Sequence, residues 1–163
     1  MFPPAIETLA RSVIAAATAR GVMIATVESC TGGLVAAALT AVPGSSAVLD
    51  RGFVTYSNVA KTDLVGVPAT LIDRHGAVSE PVARAMAEGA VARSPATLAV
   101  SVTGIAGPGG GSADKPVGLV HFGVAGLGDT AAVHRHFANL DRDGVRLASV
   151  ETALGLLAER LGA

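Results

Sequence analysis

The run Glu28-Ser29-Cys30-Thr31-Gly32-Gly33 sets two hydroxyls, a thiol and a carboxylate beside a glycine pair, between an apolar strand-like stretch and an Ala-rich helix-like one. A hydroxyl next to free backbone N–H groups at a helix start suits acyl transfer, because the developing oxyanion finds donors in place. Ser29 is the candidate nucleophile. Ser29 or Thr31 can equally cap the helix, a common role for both residue types. Cys30 reads as a small core thiol, with a thiolate nucleophile as the alternative if the helix start lowers its pKa. Glu28 either orients the loop or pairs with a neighbouring charge.

A serine nucleophile needs a base. The chain has four histidines: His75, His121, His134 and His136. His134 and His136 lie two apart on one face of a strand-like segment. That spacing fits a metal pair, but no third ligand follows by spacing, and a solvated strand face accounts for it as well. Lys61 is the other candidate base, five residues after Tyr56, where an apolar strand gives way to a short helix. A desolvated lysine loses proton affinity and can accept a proton near neutral pH. A solvated surface lysine is the alternative reading.

A second loop begins at Thr103 and runs Gly104-Ile105-Ala106-Gly107-Pro108-Gly109-Gly110-Gly111-Ser112. It lacks G-x-x-x-x-G-K-[ST] and precedes a strand, which excludes the common phosphate-binding and dinucleotide fingerprints. Its glycines let backbone approach a flat ligand closely, unless it is simply a mobile surface loop. Arg142 and Arg146 stand near the start of the last helix, where guanidinium groups make an anion site.

These residues need elements to hold them. Pro3 and Pro4 open a helix with Ile6, Leu9, Val13, Ile14 and Ala17 inward and Gly21 as its stop. Strands are predicted over 22–27 and 51–57, with an Ala-rich helix over 34–42 between them. Asn58 is read as the cap of a short helix through Lys61 and Leu64, broken by Gly66-Val67-Pro68. Ser79 is read as the cap of a helix with Val82, Met86 and Ala90 inward, ending before Pro95. Strands follow over 97–102, 117–124 and 130–137, the last two as an antiparallel hairpin. Leu147, Val150, Leu154, Leu157 and Leu161 mark a final helix. Helices alternating with strands imply one α/β domain over 1–163: a three-layer α/β/α domain with a mixed, mostly parallel sheet and a late antiparallel hairpin. Both candidate loops follow strands, so they can share one crevice at the strands' carboxyl ends.

Composition narrows the function classes. The 163 residues are 50% hydrophobic but only 3% aromatic, which calls for a core of small, closely packed side chains. Charged residues make up 15%, and the net charge is -1 with no basic block, against nucleic-acid binding. No apolar stretch is long enough for a bilayer and no secretory leader is expected, so the expectation is a cytoplasmic protein without membrane contact. The single cysteine excludes an internal disulfide.

Five segments together carry a resemblance. Glu28-Ser29-Cys30-Thr31-Gly32-Gly33 is followed by Gly52-Phe53-Val54-Thr55-Tyr56-Ser57-Asn58 with Lys61, then by His75-Gly76-Ala77-Val78-Ser79. Thr103 through Gly110 and Lys115-Pro116-Val117-Gly118 complete the set. In this order, over nearly the whole chain, they resemble the CinA C-terminal domain family. The resemblance implies a nicotinamide-nucleotide amidohydrolase, which converts nicotinamide mononucleotide (NMN) and water to nicotinate mononucleotide and ammonia. It implies no metal, no cofactor and a homodimer.

By motif position Ser29 is the nucleophile, with Lys61 and Tyr56 assisting proton transfer. Substrate contacts are expected from Glu28, Cys30, Thr31, Gly32, Gly33, Thr103, Gly104, Gly107 and Arg142. The N–H groups near Cys30 to Gly33 would hold the oxyanion. Glu28 would favour the cationic pyridinium or orient the loop, and Arg142 or Arg146 would take the 5′-phosphate. Relatives often carry Gly-Asp-Arg after a Phe and one residue; here the stretch reads Phe137-Ala138-Asn139-Leu140-Asp141-Arg142, with Leu140 in place of the glycine. Longer relatives carry an N-terminal domain similar to molybdopterin-binding proteins, outside this resemblance. Two rivals stand beside the amidase: an idle nucleotide-binding module tied to competence or DNA damage, and a metal hydrolase built on His134 and His136.

Overall fold

A computed structural model describes residues 1–163. Helix α1 (Pro4–Arg20) ends at Gly21, whose left-handed φ of 62° lets the Val22 N–H return to the Ala17 carbonyl at 2.9 Å. That return delays the first strand: the pattern predicts 22–27, whereas β1 is Ile24–Glu28. Helix α2 (Leu34–Thr40) and a 3₁₀ turn at Ser45–Ala47 lead to β2 (Leu49–Val54). Next come α3 (Asn58–Val65), α4 (Ala69–His75) and α5 (Glu80–Ala92). Strand β3 (Leu98–Gly104) precedes the glycine loop. The chain ends with β4 (Leu119–Ala125), β5 (Ala131–His136) and α6 (Arg142–Leu161).

The five strands form one sheet in the order β2-β1-β3-β4-β5. β1 runs parallel to both β2 and β3, while β4 is antiparallel to β3 and to β5. The expected α/β domain with a mixed sheet and a late hairpin is thus observed, with helices on both faces. Helices α1, α2 and α6 cover one face, over an apolar cluster of 27 buried residues that includes Phe122, Leu154 and Leu157. Helices α3, α4 and α5 cover the other, over a smaller cluster of 10. The second layer lies close to the sheet because Gly123 carries no side chain: a Cβ there would stand 2.3 Å from the Ala83 carbonyl oxygen of α5. No helix is long and apolar enough to cross a membrane.

Three local readings change. α3 is capped by Ser57, whose hydroxyl accepts the Ala60 N–H at 3.0 Å, and Asn58 is its first helical residue. Ser79 stands at the N-cap position of α5, but its hydroxyl donates backwards to the Gly76 carbonyl at 2.8 Å. Helix α4 is absent from the pattern reading; it is seven residues long with only Ile72 buried, too short to show a helical period.

Candidate active site

Parallel pairing of β1 with β3 brings the residues that follow each strand to the same edge of the sheet. The two candidate loops therefore meet in one crevice of about 270 Å³, close to the lower end of the range for small-molecule sites. Ser29, Cys30, Tyr56 and Arg142 line it together with Gly104, Ile105, Ala106, Gly107, Gly109 and Gly110. A more apolar groove of about 320 Å³, between Val59 on α3 and Ile72 on α4, contains no serine, cysteine, histidine or lysine.

Ser29 and Lys61 come together although 32 residues separate them: the Lys61 Nζ lies 3.2 Å from the Ser29 Oγ. Lys61 reaches it from α3, the short helix that Ser57 starts. The lysine is almost fully buried, at 1% exposure. Its Nζ also donates to the Thr55 carbonyl at 2.8 Å, and no carboxylate pairs with it. Burial holds its pKa below the usual 10.5, against a smaller upward pull from Cys30. A buried amine without a counter-ion beside a hydroxyl is the setting in which lysine accepts a proton. Thr55 is placed by its own N–H, which donates to the Glu28 carbonyl at 2.8 Å and carries the β1–β2 ladder past the end of β2. Its role as the lysine's acceptor has no sequence signal, because any residue supplies a carbonyl.

The other expected site residues divide. Tyr56 is 62% exposed at the rim, and its hydroxyl accepts from Arg142 Nη2 at 3.2 Å. It has no hydrogen bond to Ser29 or Lys61, so a proton relay through Tyr56 has no bond to follow. Arg142, the first residue of α6, also donates through Nη1 to the Gly107 carbonyl at 2.8 Å, tying the glycine loop to Tyr56 across the mouth of the crevice. Asp141 caps α6 by accepting the Gly144 N–H at 2.8 Å. Just before it, the left-handed position falls on Asn139, at φ 66°, so Leu140 stands where the glycine is expected without needing that conformation.

Glu28 is 1% exposed and turns away from the crevice. Its carboxylate accepts the N–H groups of Gly33, Val35 and Ala36, each at 2.9–3.0 Å, and the Thr26 hydroxyl at 3.0 Å. The orienting role is the one observed, and Glu28 rather than Ser29 or Thr31 caps α2. Gly32 and Gly33 form the turn, with φ 61° and 101°. They do not line the crevice, nor does Thr31, which is fully buried with its hydroxyl unpartnered. The Gly32 and Gly33 N–H groups are engaged by Ser29 O and Glu28 respectively, whereas the Cys30 and Thr31 N–H groups reach no backbone carbonyl, and of these two residues only Cys30 lines the crevice. Thr103 is buried, and its hydroxyl donates to the Ala77 carbonyl at 2.9 Å, so it braces the 75–79 loop instead of facing a ligand. Burial pushes the Cys30 thiol up to about 11, which removes it as a thiolate nucleophile near neutral pH.

The histidines do not converge on the crevice. His134 stacks near His121 across the β4–β5 hairpin with ring centroids 5.5 Å apart, and His136 contacts the Val117 carbonyl. No three or more His, Cys, Asp or Glu side chains are grouped as metal ligands, so the two-histidine reading gains no third ligand.

Known proteins are similar to this chain over nearly its whole length. The model of the CinA C-terminal domain matches residues 6–161. A CinA-like protein of Anaeromyxobacter sp. (strain K) is 54% identical over 157 residues, covering 96% of this chain and 38% of that protein. A putative competence-damage inducible protein of Symbiobacterium thermophilum is 51% identical, covering 93% of this chain and 37% of its own length. The chain thus spans well under half the length of these relatives. Among solved structures, the competence/damage inducible protein CihA from Agrobacterium tumefaciens superposes with a TM-score of 0.96 at 52% identity, over 100% of this chain and 99% of that one. The competence damage-inducible protein A from Klebsiella pneumoniae gives 0.92 at 39% identity, over 96% and 97%. With three of the five resembling segments contributing to one crevice and a family match over residues 6–161, the chain belongs to the CinA C-terminal domain family.

Proposed function

We propose that the chain is an amidohydrolase that deamidates NMN through a serine–lysine pair. One observation carries the reading: a buried lysine without a carboxylate partner stands 3.2 Å from a half-buried serine hydroxyl at a crevice. In the first step neutral Lys61 takes the Ser29 proton as Oγ attacks the carboxamide carbon. The oxyanion is met by the N–H of Cys30, which is given to no backbone carbonyl. Protonated Lys61 then gives its proton to the departing nitrogen, the C–N bond breaks and ammonia leaves. Water attacks the acyl-serine, losing a proton to Lys61, and the acid is released as Ser29 recovers its hydrogen. Arg142 takes the 5′-phosphate in this reading, supported by its position at the rim and at the start of a 20-residue helix.

A homodimer belongs to the same reading. It is supported by the exposed Val54 and Val59 beside the uncovered edge of β2, at 47% and 68% exposure. Ammonia release from NMN, measured with the parent chain and with Ser29→Ala, tests the function. The parent should turn over and the variant should lose roughly 10³-fold or more in kcat while still folding. A chain that binds NMN without releasing ammonia would instead be the idle binding module.

A further inference from the structure

Helix α6 carries a second arginine one turn beyond Arg142, and it does not face the crevice. Arg146 is half-buried. Its Nε donates to the Cys30 carbonyl and its Nη2 to the Thr31 carbonyl, each at 3.2 Å. The nearest carboxylate, Asp143, is 3.9 Å away and 84% exposed, so the carbonyls are the main partners of the guanidinium.

A peptide unit is planar, with its N–H opposed to its C=O. Two successive carbonyls held on one side therefore fix two peptide planes. The N–H groups of Thr31 and Gly32 are turned away from Arg146, and the Gly32 N–H closes on the Ser29 carbonyl at 3.1 Å. This is the turn that leaves Ser29, and it ends in two left-handed glycines, at φ 61° and 101°. Glycine gives such a turn little stiffness of its own. A planar guanidinium fork supplies the stiffness from outside, and a lysine, as a single point charge, cannot reproduce it.

We propose that Arg146 is a positioning residue for the nucleophile. By gripping the Cys30 and Thr31 carbonyls it sets the turn after Ser29, and with it the aim of Ser29 Oγ at Lys61 Nζ and of the Cys30 N–H at the crevice. The inference rests on the serine–lysine reading above. It separates the two arginines of one helix face: Arg142 acts on binding, Arg146 on the chemical step.

The test uses the full chain with Arg146→Lys and Arg146→Met. Two readouts run side by side: steady-state ammonia release from NMN, and the rate at which a fluorophosphonate labels Ser29, followed by intact mass. Both variants should lose about 10²-fold in kcat, the size of effect seen when an oxyanion donor is lost, with KM for NMN moved by no more than about twofold. Labelling should slow in parallel. Millimolar methylguanidinium should restore a measurable part of both rates in Arg146→Met, which a purely structural loss would not allow. If the methionine variant does not fold, the lysine variant decides. Labelling and kcat within about twofold of the parent in a folded variant overturn the proposal, as does a change in KM alone. A parent chain that is labelled at Ser29 but leaves NMN intact refutes the NMN reading, and the labelling rates still judge Arg146. A parent inert to both reagents overturns both proposals.

Discussion

Two regions of the sheet carry titratable side chains and treat them differently. Where β1 and β3 end side by side, residues from α3, α6 and two loops close on one crevice. Along the β4–β5 hairpin, His121, His134 and His136 stand near one another and close on nothing. Burial lowers the pKa of Lys61 in the first region, and of His121 in the second, with His134 adding to the latter. Only the lysine has a hydroxyl within hydrogen-bond reach. In the proposed reaction the general base is set by what a group faces and how dry it is, ahead of the usual preference for histidine.

The comparison breaks most sharply at Lys61. Lys61→Met should cost roughly 10³-fold or more in kcat, measured by ammonia release. In the parent, activity should fall on the acid side of a pKa displaced below 10.5, because only the neutral amine accepts the serine proton. The same displacement links to stability. Between the folded value and 10.5 the unfolded chain binds more protons, so this group's contribution rises with pH across that window and is lost as pH falls through the folded value. Methionine removes the dependence. The variant should therefore melt no lower than the parent at pH 7, with the gap narrowing toward pH 10.5. A variant that keeps its activity would return the histidines to consideration.

A smaller effect sharpens the picture at the rim. Arg142→Ala should raise KM for NMN by about 10- to 100-fold while changing turnover of the unphosphorylated riboside little, since a charge-assisted phosphate contact is worth a few kcal/mol. Equal effects on the two substrates would show that Arg142 matters for tying Gly107 to Tyr56 and not for phosphate.

The smallest effect is expected in the hairpin. His134→Ala combined with His136→Ala should leave activity within about twofold and stability within about 0.5 kcal/mol, as for other exposed positions. A larger loss of activity would mean that the hairpin takes part in the chemistry.

Legibility in the sequence follows the same division. Strongly periodic elements, α1, α5, α6 and the strands, can be placed to within a few residues, and Ser29 stands out because a strand, a hydroxyl and two glycines are adjacent in the chain. The lysine is legible as a candidate only; its burial depends on Ser57 starting α3 and on β2 pairing with β1, both non-local facts. Thr103 and Glu28 look like ligand contacts because they flank the crevice loops, yet their side chains point into the packing, toward the Ala77 carbonyl and the amides of α2. Strand alternation around a turn decides which way they face, and one residue of uncertainty in the strand end reverses it. Helix α4 stays hidden because one buried side chain makes no period.

Glu28 has a consequence for catalytic turnover. Its carboxylate already occupies the amides at the start of α2, so those donors do not form a vacant anion cradle beneath Ser29. For the proposed reaction the substrate arrives with a neutral amide and a cationic ring, neither of which needs an anion cradle there. The product leaves with a new carboxylate in the place of the amide. A carboxylate formed at the crevice therefore finds no free helix-start amides to hold it, which eases its release without altering the equilibrium of the hydrolysis.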